Sequence, residues 1–486
     1  MTLDGTLSIA TGGLANINRQ MAVVSQNVAN ASTPGYAVEI STQESLTGNG
    51  EGLGVRSGPA IRDIDMALQA ETFSQNATVA GLQTRQNALQ AIDAVQGTPG
   101  QSGDIAGLLG NLQDQFSTLL NSPDNQTQQS QVVSAATNVA RGINVLSNAY
   151  TSQRQTAQDA LVSEVATLNA TLSTIGGLSD KIVTLKAGGQ SIADLENQRD
   201  TAVASLSQVL DVKALEQPSG DLLIITQSGL TLPIRGASPF GVADANIAPG
   251  SGAPPIMLRG TDVTAQMQGG QIGANVTLRD TTMPTDQAEL GELAQNLAGR
   301  FDAQGLTLFT DPNGAVPPSA PVGAPPPPVQ TGYVGFAATI QVNPTLSPSA
   351  VRDGTPSISG GLAGFTGIIS AVLNNVLGAV PVLASQVLGL GSAGNLNAPY
   401  VAPATLQQLA STMVAAQAQD SATTTSRLGT EQAVQTTLAT KLSAQSGVNM
   451  DTEMSTMIQL QNAYGANAKV IAAVQAMWTQ LLSTVQ

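Results

Sequence analysis

The sequence predicts a mainly α-helical protein with one small inserted β domain, in which the N- and C-terminal helices pair as a coiled coil. Heptad patterns occur at both ends of the chain, helical periodicity covers most of residues 61–210, and strand-like alternation replaces it after residue 211. The 486 residues exceed the size of one ordinary domain, and about three domains are expected. The pattern therefore predicts a bundle of long helices within a nested arrangement of domains.

The first predicted element is an amphipathic helix. Its apolar residues step by three and four positions, which is the spacing of a coiled-coil a/d seam. The predicted N-terminal seam consists of Leu7, Ala10, Leu14, Ile17, Met21, Val24 and Val28. Residues Asn27–Tyr36 then end this helix, because Pro34-Gly35 suits a type II turn and Asn30 can adopt a left-handed conformation. On its own, this string is compatible with an ordinary helix stop.

A second amphipathic helix is predicted at the C-terminus, where Asp451 and Glu453 provide the negative charge that a helix N-terminus favours. In its seam, Gln461 and Gln475 fill two places between apolar residues. The predicted C-terminal seam consists of Met454, Met457, Tyr464, Ala468, Ile471, Trp478, Leu482 and Val485. Because neither end helix can bury its seam alone, the two are predicted to pair. Periodicity leaves open whether they dock onto neighbouring subunits or pack onto the chain's own core.

Between the ends, helices are predicted to alternate with segments rich in glycine and proline. Residues 31–60 are rich in Gly, Ser, Thr and Pro, which indicates an extended connection. Helical spacing predicts long helices at 61–95 and 127–187, with breaks at Gly176-Gly177 and Gly188-Gly189. Further helices are predicted at 286–303, 365–390 and 404–445.

Three interior segments differ from this helical pattern in composition or periodicity. Residues 212–231 show the alternation and turn residues of hairpin strands. Residues 312–330 are proline-rich and predict a polyproline II spacer. Residues 354–419 carry no charge, but their apolar residues follow one helix face, which favours a buried bundle helix over a membrane span.

These elements predict three domains, each inserted within the one outside it. Residues 1–60 and 446–486 form a terminal coiled-coil domain with its connecting loop, and residues 211–285 form the inserted β domain. The bundle between them comprises residues 61–210 and 286–445, including the loop 312–330. In such a chain, both termini are expected at one end of the molecule and the β domain at the other.

Composition excludes several classes of function. The chain has no Cys and no His, so it can form neither a disulfide nor a Cys–His or Ser–His nucleophile system. The net charge of −15 argues against nucleic-acid binding, which needs clustered Lys and Arg. No catalytic, cofactor-binding or metal site is predicted, and the chain is not predicted to be an enzyme. Its N-terminus lacks the pattern of a cleavable signal peptide.

Taken together, the two ends resemble the bacterial flagellar rod, hook and hook-associated proteins. The N-terminal turn motif of that family matches Asn27, Asn30, Thr33, Pro34, Gly35 and Tyr36. Its C-terminal signature matches Ser446–Met454, Gln459–Tyr464 and Ala468–Ile471. The interior strings Leu195–Asp200 and Gly269–Asp280 are similar to the hook-associated junction type within the family.

This resemblance implies a structural subunit that joins hook to filament and assembles axially through its terminal helices. It implies export in an unfolded state by the flagellar type III system and an extracellular location at the hook–filament junction. The implied partners are copies of itself in a ring, the hook protein, the second junction protein (hook-associated protein 3), an export chaperone and the type III export apparatus. No cofactor, nucleic acid or membrane span is implied. A flagellar hook or rod protein is the alternative, and a secreted enzyme or binding module is a weaker one.

Overall fold

A computed structural model describes residues 3–48, 51–318, 333–358, 361–382, 387–391 and 394–485. The described helices are α1 (Leu3–Asn30), α2 (Met66–Gln96), α3 (Ile105–Asn121), α4 (Gln126–Ala187), α5 (Ala193–Val209), α6 (Gly270–Thr277), α7 (Met283–Ala303), α8 (Tyr333–Thr339), α9 (Ala350–Asp353), α10 (Gly367–Asn375), α11 (Leu406–Ser446) and α12 (Met450–Val485). A 3₁₀ turn occupies Thr264–Gln266, and a π-helical turn, Leu278–Thr282, joins α6 to α7.

The strands are short and pair only in small antiparallel sheets. They are β1 (Glu39–Gly48), β2 (Glu51–Arg62), β3 (Val212–Glu216), β4 (Leu222–Thr226), β5 (Thr231–Leu232), β6 (Phe240–Gly241), β7 (Met257–Leu258), β8 (Thr261–Asp262), β9 (Phe309–Thr310), β10 (Gln341–Val342), β11 (Leu388–Leu390) and β12 (Leu396–Asn397). In the described part of the chain, the sheet orders are β1-β2, β3-β4-β5, β6-β7-β8, β10-β9 and β11-β12. The fold is therefore mainly α with a small β domain inserted in the middle, as the sequence predicts.

Three hydrophobic cores hold the molecule together. A bundle core is built from residues between 88 and 157 and between 278 and 413. A second core, the middle core, is built from residues between 161 and 272 together with Phe73. In the sequence, residues 161–272 lie between the two parts of the chain that build the bundle core. A small terminal core joins α1 to α12. The 62 residues of α4 span about 93 Å and contribute to both larger cores, so this helix is the shared axis of the two.

The nested order in sequence is not the order in space. Asn197 on α5 bonds the backbone of Ala37, next to the N-terminal helix. Two residues later, Arg199 donates to the Gly220 carbonyl in the β3–β4 turn. The expectation that the β domain lies far from the termini is therefore wrong. Helix α5 contacts both the segment after α1 and the β3–β4 turn. The inserted β domain, which we call the inserted unit, therefore lies beside the terminal coiled coil.

The segment predicted as an extended connection is a β-hairpin. Strands β1 and β2 pair in antiparallel register from Glu39↔Arg62 to Gly48↔Glu51. The many Gly and Ser residues masked the strand signal, although Ile, Thr and Val alternate with polar residues here. Helix α2 consequently begins at Met66 rather than residue 61. Its start is fixed by the Asp65 carboxylate, which accepts hydrogen bonds of 3.0 Å from the N–H groups of Ala67 and Leu68.

Two other predicted boundaries differ from the structure. The described strands of the inserted unit end at Asp262, and residues 270–282 are helical rather than part of the predicted β domain. The predicted helix at 365–390 is shorter, because α10 ends at Asn375 and β11 follows at 388–390. Its residues Ile368, Ile369 and Val372 are buried in the bundle core, as predicted for this charge-free segment. The proline-rich loop lies largely outside the described residues.

The two predicted glycine breaks have different outcomes. Gly188-Gly189 ends α4 as predicted, and Gly189 has a φ of 66°. Gly176-Gly177 does not break the helix, because α4 continues through both residues. A glycine is needed at 176 for another reason: a Cβ there would lie 1.9 Å from the Ile234 carbonyl oxygen. Gly176 thus permits close packing of the inserted unit against α4.

Among the described helices, none is both long and apolar enough to cross a membrane.

Candidate functional site at the paired termini

Helices α1 and α12 pack against each other in antiparallel directions. Gly13 on α1 lies beside the Asn467 side chain, while Asn27, farther along α1, bonds Glu453 near the start of α12. The terminal core consists of Ile17, Val24 and Leu460, and the partly buried residues around it are Met21, Val28, Met457 and Ala463. The predicted N-terminal seam residues Leu7 and Leu14 are also partly buried. One face of α1 is therefore covered along most of its length.

The C-terminal helix uses a slightly different face from its predicted seam. Leu460 and Val474 are buried, one residue before the predicted places of Gln461 and Gln475. Of the predicted C-terminal seam, Met457 and Ile471 are partly buried and Ala468 is exposed. The large seam residues that stay exposed are Met454, Tyr464, Trp478 and Leu482. The side chain of Val485 lies outside the described part of the structure.

Helix α12 therefore exposes many large apolar side chains, and Trp478, Leu481 and Leu482 continue its packed face beyond Val474 as an exposed stripe. Besides those four seam residues, Ile458, Val470, Met477 and Leu481 are also exposed. Leaving so many large apolar side chains in water is unfavourable, because each such side chain gains about 1.5–3 kcal/mol on full burial. Stripes of this kind mark surfaces that contact other macromolecules.

The motif after α1 forms the predicted turn. Gly35 has a φ of 80°, and the Tyr36 N–H donates to the Thr33 carbonyl at 3.2 Å, as in a type II turn. Asn30 behaves differently from its prediction: it is the last residue of α1 and does not adopt a left-handed φ. Its side chain instead donates to the Gln26 carbonyl and accepts from the Thr33 hydroxyl. Side-chain hydrogen bonds thus replace the backbone cap.

Asn27 organises the region where the termini meet. Its side chain is 1% exposed, and its amide makes four hydrogen bonds, which is its full capacity. Nδ2 donates to the Glu39 carbonyl at 2.9 Å and to the Glu453 carboxylate at 3.2 Å. Oδ1 accepts from the Tyr36 hydroxyl and from the Glu39 N–H, both at 3.0 Å. One side chain therefore ties α1, the turn, β1 and α12 together.

A second asparagine joins this region to α5. Asn197 accepts from the Ala37 N–H and donates to the Ala37 carbonyl, both at 3.2 Å, as a neighbouring strand would. Beside it, the Arg62 guanidinium bridges Glu196 at 3.0 Å and Asp200. We call the set Asn27, Tyr36, Glu39, Arg62, Glu196, Asn197, Asp200 and Glu453 the joint. It connects the paired termini to the inserted unit through polar contacts that leave few groups unpaired.

Burial governs the electrostatics of the joint. Burial raises the pKa of Glu39, and Asp194 adds to this, while Arg62 and Asn197 act in the opposite direction. Burial also raises the pKa of Glu196, against the charge of Arg62. The pKa of Tyr36 is raised by burial and by the nearby Glu39. Arg62 is thus the cation that offsets the cost of keeping these carboxylates ionised.

Most of the joint was not predicted as a site. The sequence singles out Asn27 and Tyr36 in the turn motif, and it marks Leu195–Asp200 only by resemblance to the junction type. The structure shows instead that Glu196 and Asp200 pair with Arg62, which lies more than 130 residues earlier in the chain. Helix spacing indicates that two acids at i and i+4 share a face, but it cannot identify their distant partner.

Replacing Asn27 with alanine is expected to lower the free energy of unfolding of the terminal region by about 1–3 kcal/mol, because it leaves buried polar groups of Tyr36, Glu39 and Glu453 unpaired. Amide hydrogen exchange at residues 37–39 should become faster. Asn30→Ala is the matched control: its side chain makes local bonds at the partly exposed end of α1, and a smaller effect is expected. Equal effects of the two substitutions would contradict a central role for Asn27.

Comparison with protein families gives three matches along the chain. Residues 89–315 match the helical domain of flagellar hook-associated protein FlgK. Residues 7–36 match the flagella basal body rod protein family, and residues 442–484 match the C-terminal family of the flagellar basal body rod FlgEFG proteins. The two rod-type matches fall on α1 with its turn and on α12, which contribute Asn27, Tyr36 and Glu453 to the joint. All three matched families are families of flagellar proteins.

Two curated relatives make the assignment more particular. Flagellar hook-associated protein 1 of Bacillus subtilis is 24% identical over 235 residues, which cover 46% of each chain. Flagellar hook-associated protein 1 of Salmonella typhimurium is 23% identical over 318 residues, 62% of this chain and 56% of the relative. The chain thus spans about half the length of the curated relatives it matches. With the FlgK helical domain, they confirm the resemblance to hook-associated protein 1 that the sequence suggests.

A solved structure, that of the flagellar hook junction protein FlgK from Burkholderia pseudomallei, is also similar in part. It is 21% identical, with a TM-score of 0.43 over 50% of this chain and 46% of that one.

Proposed function

We propose that this chain is a structural subunit that joins the flagellar hook to the filament by axial assembly of its paired terminal helices. The observation that carries the proposal is the exposed apolar stripe on α12, which continues the face packed on α1 beyond Val474. A monomer that needed only its own core would not expose Trp478, Leu481 and Leu482 on one helix. The curated relatives' printed name, hook-associated protein, supports the same assignment.

The physical role of each region follows from this proposal. The paired termini, residues 1–60 and 446–486, serve as the assembly module, whose exposed stripe is buried against copies of the chain in a ring, the hook protein and the second junction protein. The joint holds that module at a fixed orientation to the bundle. Such contacts are mainly apolar and involve no chemical step. We further propose export in an unfolded state by the flagellar type III system, with its chaperone, to an extracellular position at the hook tip.

Substitutions on the exposed stripe test the proposal in cells. In a strain that lacks this chain, a variant with Trp478→Glu and Leu482→Glu is expected to leave most hooks without filaments, while unpolymerised flagellin accumulates in the medium. Each substitution removes about 1.5–3 kcal/mol of burial and places a charge in the contact. Electron microscopy of the hooks and an immunoblot of the medium provide the readout.

The matched control places the same charges on the polar face of the same helix. Gln480 and Thr484 are exposed and have the same i, i+4 spacing, so Gln480→Glu with Thr484→Glu is expected to support normal filaments. Both variants should give the circular dichroism spectrum of the native chain. Filaments attached normally in the Trp478/Leu482 variant would refute the assembly role of the stripe.

The alternative function has a separate test. Purified native chain that forms long polymers unaided would favour a hook or rod protein.

A further inference from the structure

Helix α7 is buried on all sides, although it contains acidic residues. Every residue from Gln287 to Ala298 is buried, because α4, α8, α11 and the segment before α11 surround this helix. Glu289 and Glu292 are 4% and 3% exposed, and their i, i+3 spacing places them on neighbouring positions of one face. Buried acids in proteins are normally paired with a cation.

No cation pairs with either glutamate among the described residues. The Glu289 carboxyl has one partner, the Tyr400 hydroxyl, which donates at 2.8 Å. In the described part of the chain, Oε1 of Glu289 and Oε1 of Glu292 have no hydrogen-bond partner. The segments that the structure does not describe contain no Lys or Arg, so their side chains cannot supply the missing positive charge.

The other titratable groups around α7 supply no cation that pairs with Glu289 or Glu292. Tyr150 from α4 and Tyr400 face the helix as neutral phenols, and Tyr333 from α8 donates to the Pro318 carbonyl. Asp420 on α11 is paired with Arg85 from α2 at 2.7 Å. Asp286, three residues before Glu289, is a further acid of this helix: burial raises its pKa, and the charges of Glu289 and Asp420 raise it further.

We propose that Glu289 and Glu292 form a proton lock, in which the bundle packs around α7 only while both carboxyl groups are neutral and loosens when they ionise. Burial raises the pKa of Glu289 to about 7 and that of Glu292 to about 8, which agrees with this geometry. The lock makes the folded bundle least stable on the alkaline side, and this does not depend on the proposed function.

The sign of the pH dependence follows from linkage. An acid with a raised pKa in the folded state binds its proton more tightly there than in the unfolded chain. Its stabilisation is complete below the ordinary pKa of glutamate and is lost as the pH rises through the folded-state pKa. Between pH 5 and 7, each pH unit should lower the folding equilibrium constant about tenfold for each glutamate. Above pH 8, the loss from this pair levels off.

Urea unfolding of the full chain at pH 5, 6, 7, 8 and 9 tests the lock. The native chain is expected to lose stability steadily over this range. A variant with Glu289→Gln and Glu292→Gln has a neutral side chain at both positions at every pH. Its free energy of unfolding should therefore be close to that of the native chain at pH 5 and exceed it at pH 8. Glu71→Gln, an exposed glutamate on α2, is the control and should keep the native pH slope.

Unfolding the native chain at pH 6 should also release protons, which calorimetry in buffers of different ionisation enthalpy detects. If the double variant fails to fold, the single variant Glu292→Gln decides the matter, because it should release about one proton fewer than the native chain. A native stability that is flat from pH 5 to 9, a double variant with the native slope, or no proton release at pH 6 would each overturn the proposal. Filament attachment in cells is measured separately, so failure of the lock leaves the proposed function untouched.

Discussion

Replacing Arg62 with alanine is expected to lower the free energy of unfolding by about 3–5 kcal/mol, which is the usual cost of removing one partner from a buried ion pair. The Arg62 side chain is 4% exposed, and it bridges Glu196 and Asp200 on α5. Without it, two carboxylates on one helix face repel each other at a largely buried site, and Gln69 remains as a donor to Asp200. Urea unfolding and amide exchange of β2 and α5 measure the loss.

The same hairpin contains the matched control. Arg56 pairs with Glu44 at 2.6 Å, but these side chains are 65% and 61% exposed. Exposed pairs contribute about 0–1 kcal/mol, so Arg56→Ala should have little effect although it removes the same side chain from the same strand. Equal destabilisation by the two substitutions would contradict a stabilising role for the buried ion pair of Arg62.

A double-mutant cycle separates the pair from its surroundings. Arg62→Ala, Asp200→Ala and the double variant together give the coupling energy, which we expect near the upper end of the about 0.5–3 kcal/mol found for residues in one network. Removing both partners should cost less than the sum of the single changes, because no unpaired Asp200 charge remains. A coupling energy of zero would place the stabilisation in Glu196 alone.

Local patterns in the sequence were sufficient for the elements that depend on local physics. The stepping of Leu7 to Val28 predicted α1, and Pro34-Gly35 predicted the turn that follows, because helix periodicity and a positive φ are properties of neighbouring residues. At the other end, the same method placed the seam of α12 one residue too late. A shift of one residue rotates a helix face by about 100°, and Leu460 and Val474 mark the packed face better than Gln461 and Gln475.

Contacts between distant segments were not predictable in this way. Nothing in the spacing of Glu196 and Asp200 identifies Arg62 as their partner, and nothing near Asn197 indicates that it bonds Ala37. The burial of the acidic residues of α7 was not predicted for a related reason. An amphipathic pattern assigns charged residues to solvent, but a helix enclosed on every side buries them as well, so Glu289 and Glu292 are recognised only from their surroundings.

Gly176 and Gly177 are a further case in which contacts with a distant segment were not predictable from the sequence. Replacing each with alanine should change the free energy of unfolding in opposite directions. In an exposed helix interior, alanine is favoured over glycine by about 1 kcal/mol. At Gly177 no atom lies within 4 Å of an added Cβ, so Gly177→Ala should stabilise the chain by about that amount. At Gly176 the added Cβ would lie 1.9 Å from the Ile234 oxygen and 2.9 Å from its carbonyl carbon.

Such an overlap with backbone cannot be relieved by rotating a side chain. Either α4 or the segment after β5 must move, and overpacking of this kind costs about 1–3 kcal/mol, occasionally more. We expect Gly176→Ala to destabilise the chain by about 2 kcal/mol or more, even after the gain in helix propensity. Urea unfolding of the two single variants measures a difference of opposite sign between adjacent residues. Stabilisation by both would mean that the inserted unit is not packed against α4 through the Ile234 carbonyl.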